Sequence, residues 1–140
     1  MANKSFQLVT NAFKSFNRFS GFARACRVIS VNDGTVELEM DVTNAHLNSS
    51  GQLHEGCLAA LLDIVTSIAI ASAKIGEMGV SVDLNMSYPN YAKLGDTIVV
   101  NGTVLYSTNK LAYSRAEIRR KKDNLLVAYG QHTKAFPKKS

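Results

Sequence analysis

The stretch GQLHEGCLAALLDIVTSIAIASA, residues 51–73, decides the fold of this chain of 140 residues. From Gly56 to Ala73, thirteen of the eighteen residues are apolar, and Asp63 is the only charged one. The larger apolar residues recur at helical spacing and alanines fill most other directions, which predicts a helix that is apolar almost all round. Such a helix is buried on most sides, and we expect a curved sheet to surround it. The recurring residues are Leu58, Leu61, Leu62, Val65, Ile68 and Ala69.

Strand patterns lie on both sides of this central helix. Before it, residues 25–32 and 35–42 predict two strands joined by a tight turn at Asp33-Gly34. Consecutive strands with short connections favour an antiparallel sheet. We therefore expect an α+β fold, a single domain over residues 1–140 in which a six-stranded antiparallel sheet wraps one long helix. The four strands after the helix are predicted at residues 79–88, 96–106, 111–119 and 125–136.

Alternation of apolar and polar residues assigns the faces of two of these strands. In the second strand, apolar residues from Val36 to Val42 alternate with polar ones, which predicts one face against the core. In the third strand, alternation from Val80 to Tyr88 predicts that Ser81 and Asp83 share the polar face.

The N-terminal region is basic and periodic. Its first 32 residues hold five Lys or Arg and no Asp or Glu, a composition typical of a mitochondrial transit peptide. Apolar residues at three- and four-residue spacing instead predict an amphipathic helix within residues 1–20 that docks one face on the domain. We favour the docked helix and therefore expect a cytoplasmic protein. Cleavage of the chain near residue 20 stays open, with a mitochondrial location as the alternative. The periodic residues are Phe6, Val9, Phe13 and Phe16.

The distribution of charge narrows the class of protein. The net charge is +5, and from residue 109 onward nine Lys or Arg stand against two acidic residues. This basic third could meet phosphate groups or form a solvated face, but aromatic residues do not interleave it as a nucleic-acid stacking surface requires. We expect no nucleic acid partner. We also expect no integral membrane segment, because the long apolar stretch contains Asp63 and many small residues.

The cysteines and histidines indicate neither a disulfide scaffold nor a metal site. Cys26 and Cys57 are too few for a scaffold and are typical of reduced thiols in an intracellular protein. His46, His54 and His132 lack the spacing of metal ligands. We therefore expect neither a metal nor a cofactor.

Asp63 raises the question of how an apolar helix tolerates a carboxylate. Burying an unpaired carboxylate costs on the order of several kcal/mol, so the group must be hydrogen-bonded or face a gap in the packing. A carboxylate in such a place is also typical of a general base or a nucleophile. A strip of small and polar residues shares its helix face and could line a wet cleft or a subunit contact. The strip comprises Ala59, Asp63, Thr66, Ser67 and Ile70.

The helix begins near His54-Glu55-Gly56, where unpaired N–H groups can hold an anion or an oxyanion. Asp63 follows eight or nine residues later, about 12–13 Å along the helix axis. One helix therefore cannot bring both groups to one reacting carbon. In a two-fold dimer with antiparallel central helices, the start of one helix meets the middle of the other. The spacing predicts a site shared between subunits if both features act together.

Three motifs carry a family resemblance. They are NSSGQLHEGCLAALLD at residues 48–63, GVSVDLNMSY at 79–88 and AKLGD at 92–96. Together they resemble the hotdog-fold acyl-CoA thioesterases, and the resemblance covers nearly the whole chain, including GQHTK at 130–134. It implies a hotdog fold and an enzyme of lipid metabolism that hydrolyses fatty acyl-CoA to fatty acid and CoA. It also implies a homodimer, or a homotetramer built as a dimer of hotdog dimers, with no cofactor beyond the CoA of substrate and product.

The resemblance implies catalytic roles for particular residues. Asp63, supplied by the partner subunit, matches the carboxylate that activates water, and Ser81 matches the serine that orients it. Asn48 and the backbone N–H of Glu55 match the groups that contact and polarise the thioester carbonyl. The motif histidine, His54, supports that loop. The full catalytic set is Asn48, His54, Glu55, Gly56, Asp63 and Ser81.

The resemblance also implies where CoA binds. In the family, CoA lies over surface strands, and lysines meet its phosphates. This chain has two lysines at matching positions, which agrees with its basic C-terminal third. The residues expected to bind CoA are Tyr88, Asn90, Tyr91, Lys93, Ser107, Asn109 and Lys110.

Two departures from the family pattern leave alternatives open. The family usually has glycine where this chain has Glu55, so a charged side chain stands beside the expected oxyanion site. The proline before AKLG is displaced to Pro89, which leaves the shape of the CoA loop open. A non-catalytic acyl-CoA-binding or interaction protein of the same fold is therefore the alternative. A hotdog dehydratase with His54 as its base is a third reading, but the aspartate, serine and asparagine together fit hydrolysis better.

Overall fold

The computed structural model describes residues 4–73 and 77–138. Its helices are α1 (Lys4–Lys14) and α2 (Glu55–Ala73), with short 3-10 turns at Phe19–Ala25 and Asn44–His46. Its strands are β1 (Arg27–Asn32), β2 (Thr35–Asp41), β3 (Val80–Ser87), β4 (Thr97–Ser107), β5 (Leu111–Arg120) and β6 (Leu125–Ala135). The predicted order of elements is confirmed, and the strand bounds differ from the predicted ones by at most two residues.

The six strands form one sheet in the order β1-β2-β4-β5-β6-β3. Every neighbouring pair is antiparallel. Helix α2 packs across this sheet against β2, β4, β5 and β6. The predicted α+β architecture, one long helix wrapped by a six-stranded antiparallel sheet, is therefore confirmed.

Helix α2 forms the centre of the core. Its predicted apolar stripe is buried, and so is the alternating apolar face of the second strand from Val36 to Val42. Each large aliphatic side chain buried in this way contributes about 1.5–3 kcal/mol. Gly102 of β4 permits the close approach, because a Cβ at this position would lie 3.0 Å from the Val65 carbonyl oxygen. By length and composition α2 could cross a membrane, but half of that stretch is buried inside the fold, as expected of a core helix.

The N-terminal helix is shorter than the predicted span of residues 1–20. Helix α1 ends at Lys14 because the N–H groups of Ser15 and Phe16 bond to carbonyls three residues earlier and close the last turn. Residues 1–3 lie outside the described part of the chain. The predicted docking is confirmed, since the apolar face of α1 packs on the core. The contacts come from Phe6, Val9, Phe13 and Phe16.

The predicted alternation of β3 is wrong at Ser81. Ser81 pairs with Lys134 of β6, but Asp83 pairs with the residue directly before Lys134, so Val82 forms a β-bulge. The extra residue turns Ser81 to the side of the sheet that faces α2, opposite to Asp83. Ser81 can therefore reach groups in the core that a regular strand would have kept from it.

Strand β3 is also the last strand on its side of the sheet. Its apolar residues Val80 and Val82 are 53% and 61% exposed. An exposed strand edge that carries apolar side chains is a surface on which another chain can pair.

Candidate active site

Asp63 lies on an outer part of α2 rather than in the core. Its side chain is 51% exposed. Ser67, one turn later, donates a hydrogen bond to its Oδ1 at 3.3 Å, and Nδ1 of His132 lies 3.9 Å from the same oxygen. The carboxylate is thus solvated and hydrogen-bonded, which removes the cost of burying it. It faces outward, where a molecule from outside the chain can reach it.

His132 of β6 is fully buried and links two hydroxyl groups. Its Nδ1 lies 2.8 Å from Thr66 Oγ1, and its Nε2 lies 2.7 Å from Ser81 Oγ. Thr66 donates its hydrogen to the Leu62 carbonyl oxygen at 2.7 Å, so the Nδ1–H of His132 donates to Thr66. Nε2 then accepts the hydrogen of the Ser81 hydroxyl. The Ser81 oxygen keeps its acceptor capacity for another donor, such as water.

Burial favours the neutral form of this imidazole. It lowers the pKa of His132; Asp63 opposes the shift, Lys134 adds to it and Asp83 opposes it. A neutral imidazole has one donor and one acceptor nitrogen, which matches the two hydroxyl groups that His132 contacts. Sequence reasoning therefore missed His132, a buried residue that determines the direction in which the Ser81 hydroxyl donates its hydrogen bond.

Lys134 lies two residues further along β6 and is only 6% exposed. Its Nζ donates to Ser67 Oγ at 2.7 Å. Burial lowers the pKa of Lys134, and Asp63 partly offsets this shift. Sequence reasoning placed Thr66 and Ser67 on the Asp63 face but did not single out His132 or Lys134. The sequence did contain a signal for both residues. They occupy inward-facing positions of β6, and the inward-facing residues before them are small.

The start of α2 is capped by His54. The N–H groups of Cys57 and Leu58 donate to the His54 carbonyl at 2.9 and 3.1 Å, and the N–H of Gly56 donates to its Nδ1 at 2.8 Å. The ring proton of neutral His54 is therefore on Nε2. Within the described part of the chain, the Glu55 N–H donates to no acceptor. It is the available donor at the positive end of the helix.

Asn48 presents its amide group beside this helix start. Its Oδ1 accepts the N–H groups of Ser50 and Gln52 at 2.9 and 3.1 Å, which fixes the orientation of the amide. Its Nδ2 donates to Oε1 of Glu55 at 3.3 Å. The Glu55 carboxylate therefore engages the donor that the family resemblance assigns to a thioester carbonyl.

A cavity of about 260 Å³ opens beside the helix start. It is lined by Glu55 and by Tyr88, Asn90 and Tyr91, three of the residues predicted to bind CoA. Burial and the nearby Glu55 raise the pKa of Tyr88. Arg120, which the sequence did not single out, donates to the Tyr91 carbonyl at 3.1 Å, and its guanidinium carbon lies 5.9 Å from the centre of the Tyr91 ring.

Three further predicted CoA contacts lie at the opposite end of the sheet. Ser107, Asn109 and Lys110 are at the β4–β5 connection, and strand pairing puts that connection at the end of the sheet that holds Ser81. The cavity begins beyond Ser87, six residues further along β3, about 20 Å at the usual rise of a strand. One chain thus gathers the predicted residues into two separate groups. The helix-start group contains Asn48, His54, Glu55, Gly56, Tyr88, Asn90, Tyr91 and Lys93; the Asp63 group contains Asp63, Ser81, Ser107, Asn109 and Lys110.

Most of the basic C-terminal third is ion-paired on the surface. Exposed pairs of this kind contribute about 0–1 kcal/mol each to the free energy of unfolding. Because they neutralise the basic side chains, they leave little positive charge for an anionic ligand. Lys93 and Lys110 form no ion pair with any residue the structure describes. The pairs are Arg115 and Arg119 with Glu117, Arg120 with Asp123, Lys121 with Glu39, and Lys122 with Asp96.

The cysteines are free thiols, in agreement with the sequence. Burial raises the pKa of Cys26 to about 12, with the neighbouring Cys57 adding to the effect, and burial raises the pKa of Cys57 to about 12. Neither is therefore suited to act as a nucleophile. Across residues 4–73 and 77–138, no group of three or more His, Cys, Asp or Glu side chains could hold a metal ion.

Comparison with known proteins shows the family to which the chain belongs. Residues 50–127 match the family described as the Thioesterase superfamily. The chain belongs to this superfamily and is a thioester hydrolase. It is 34% identical to acyl-coenzyme A thioesterase 13 of Homo sapiens over 131 residues, which cover 94% of each chain.

Solved structures of similar proteins have the same fold. Thioesterase superfamily member 2 of zebra fish has a TM-score of 0.88 at 34% identity, covering 93% of this chain and 94% of that one. Thioesterase superfamily member 2 of Mus musculus has a TM-score of 0.89 at 30% identity, covering 98% and 100%. The hotdog fold and the family resemblance are confirmed.

We expect the free energy of unfolding to fall as the pH drops below about 6.5, the ordinary pKa of histidine. Burial lowers the pKa of His132 and of His46, so the unfolded chain takes up protons before the folded one does. The stability that each histidine contributes is full above pH 6.5 and is lost as the pH falls. Urea unfolding at several pH values between about 7 and 5 measures this loss.

The variant His132→Gln should show a smaller loss over the same range, with the remainder assigned to His46. Carboxylates with lowered pKa values do not interfere, because they titrate at more acidic pH. Equal losses in the variant and the unmodified protein would contradict the assignment.

Proposed function

We propose that this protein hydrolyses fatty acyl-coenzyme A to a free fatty acid and coenzyme A. The observation that carries the proposal is the outward-facing Asp63 carboxylate, which lies 3.9 Å from Nδ1 of His132, the buried residue whose Nε2 accepts the hydrogen of the Ser81 hydroxyl. A water that donates one hydrogen to Asp63 and the other to Ser81 has its lone pair directed at the substrate. Membership of the thioesterase superfamily and similarity to acyl-coenzyme A thioesterase 13 support acyl-CoA as the substrate.

The chemistry is general base catalysis. Asp63 accepts a proton from water as the water oxygen bonds to the thioester carbonyl carbon. The Glu55 N–H and the Asn48 amide donate to the carbonyl oxygen, on which negative charge develops. The C–S bond then breaks, and Asp63 returns the proton to the departing sulfur. Water is the only other reactant, so this mechanism requires no cofactor.

We further propose that two chains share each site. Glu55 and Asp63 are eight residues apart on α2, about 12 Å along its axis, which is farther than one carbonyl group can span. The exposed β3 edge supports a two-fold dimer in which two β3 strands pair antiparallel. The end of β3 that holds Ser81 would then lie beside the opposite end of β3 in the second copy. Asp63 of one chain would meet the helix-start group of the other.

The same pairing would join the two groups of expected CoA contacts. Lys93 would come from one chain and Lys110 from the other. Neither has a carboxylate partner among the residues that the structure describes, so phosphates would not have to compete with one. The proposed assembly is a homodimer, or a homotetramer made of two such dimers. A role in lipid metabolism follows from the family resemblance. The basic N-terminal region, read as a docked helix, favours a cytoplasmic location, with a mitochondrial one as the alternative.

The second candidate function, a non-catalytic acyl-CoA-binding protein, is disfavoured by membership of the thioesterase superfamily. The observation that favours it is the hydrogen bond from Asn48 to Glu55, because this bond competes with a thioester carbonyl for the Asn48 amide. A dehydratase has less support, because Nδ1 of His54 accepts the Gly56 N–H and is not available as a base. Acyl-CoA binding without release of free thiol would favour the second candidate over hydrolysis.

Asp63→Asn should lower kcat by about 10²-fold or more, the usual scale for loss of a general base. The amide keeps the size of the side chain but cannot accept the proton from water. The measurement is thiol release from a panel of acyl-CoA substrates. Asp33→Asn, in the β1–β2 turn, is the matched control and should retain full activity. Turnover by Asp63→Asn equal to that of the control would rule out the assigned role.

Glu55→Gly should raise kcat/KM about tenfold, a change of about 1.4 kcal/mol. It removes a negative charge beside the developing oxyanion and releases the Asn48 amide for the substrate. Glu55→Gln separates the two effects, because it removes the charge but keeps an acceptor for Asn48, and an intermediate value is expected. A lower kcat/KM in Glu55→Gly, with the protein still folded, would mean that the carboxylate assists the reaction instead.

A further inference from the structure

Lys134 is a buried cation for which the proposed reaction has no use. It is 6% exposed, and among the described residues its polar partner is Ser67, whose Oγ accepts a hydrogen bond from Nζ at 2.7 Å. Lysine is almost never buried to this degree without a partner that compensates for lost hydration. No carboxylate among the described residues lies within ion-pair distance of its Nζ. The compensation must therefore come through Ser67.

Ser67 connects Lys134 to Asp63. An ammonium group has only donors, so the Ser67 oxygen accepts from Lys134 and its own hydrogen is free to be donated. That hydrogen is directed to Oδ1 of Asp63 at 3.3 Å. The chain of donors therefore runs from Lys134 through Ser67 to one oxygen of the carboxylate. The other oxygen, Oδ2, is left for water.

The other ionisable groups around Lys134 do not replace Asp63 in this role. His132 on the same strand is buried, its lowered pKa favours the neutral form, and its two nitrogens are engaged by Thr66 and Ser81. Asp83 on β3 lies on the opposite side of the sheet because of the bulge at Val82. Asp63 on α2 is thus the carboxylate that faces the Lys134–Ser67 pair.

We infer that Lys134 is a positioning residue for the hydrolysis proposed above. Acting through Ser67, it fixes which oxygen of Asp63 faces water. Lys134 itself does not touch the substrate. This role depends on the proposed function of Asp63, and it explains why a lysine occupies an inward position of β6.

The test compares kcat and KM of three variants with those of the unmodified protein. Lys134→Met keeps the length of the side chain without its donors. We expect kcat to fall about tenfold, with KM changed less than about threefold. Lys134→Arg keeps a charged donor for Ser67 and should restore most of kcat. Ser67→Ala removes the connecting hydroxyl and should lower kcat with KM unchanged.

A merely structural lysine would give a different pattern. If Lys134→Arg is as impaired as Lys134→Met, or if Lys134→Met changes KM as much as kcat, the inference is overturned. If Lys134→Met does not fold, Ser67→Ala still decides, because unchanged kcat in that variant overturns the inference and a reduced kcat with unchanged KM supports it.

A second readout separates this inference from the proposed function. Carbon-13 NMR of the Asp63 carboxyl group, without substrate and at one pH, should show its signal displaced in Lys134→Met relative to the unmodified protein, because the connection through Ser67 is broken. An identical signal overturns the role of Lys134 even if Asp63→Asn is inactive. Conversely, full activity of Asp63→Asn overturns the proposed function while the NMR comparison still reports whether Lys134 acts on Asp63.

Discussion

The fixed length of helix α2 is the constraint on which the rest of the molecule depends. Because the helix is apolar almost all round, it requires a sheet on most of its sides, and the six strands supply it. Because it rises about 1.5 Å per residue, it also holds the Glu55 N–H and the Asp63 carboxylate about 12 Å apart. The burial that stabilises the fold therefore separates the two halves of the proposed chemistry within one chain.

The sheet also keeps the two groups of site residues apart. Asn48, Glu55 and the cavity lie at one end of β3, whereas Ser81 and the β4–β5 connection lie at the other. At the second end, β6 brings two polar side chains inward beneath Asp63. His132 orients the Ser81 hydroxyl, and Lys134 reaches Asp63 through Ser67. The groups of each half are positioned by contacts within one chain, so it is the reaction rather than the fold that would require a second chain.

The sequence predicts the fold well because its signals are local. Helical spacing in α2 and alternation in β2 each follow from one short segment. The site is less predictable because it depends on pairing between distant segments. The bulge at Val82 reverses the face of Ser81, which no alternation pattern contains. The partners of Thr66 and Ser67 come from β6, more than sixty residues later. The Glu55 side chain was visible as a departure from the family, but its contact with Asn48 required the folded loop.

The shared site is tested most directly by mixing two inactive variants, Asp63→Asn and Asn48→Ala, after unfolding them together and refolding. If each site combines Asp63 of one chain with Asn48 of another, half of the randomly formed dimers contain one chain of each kind. Each mixed dimer has one fully intact site and one doubly altered site, so the mixture should recover about one quarter of the unmodified activity. Activity no higher than the mean of the two separate variants would contradict a site shared between chains.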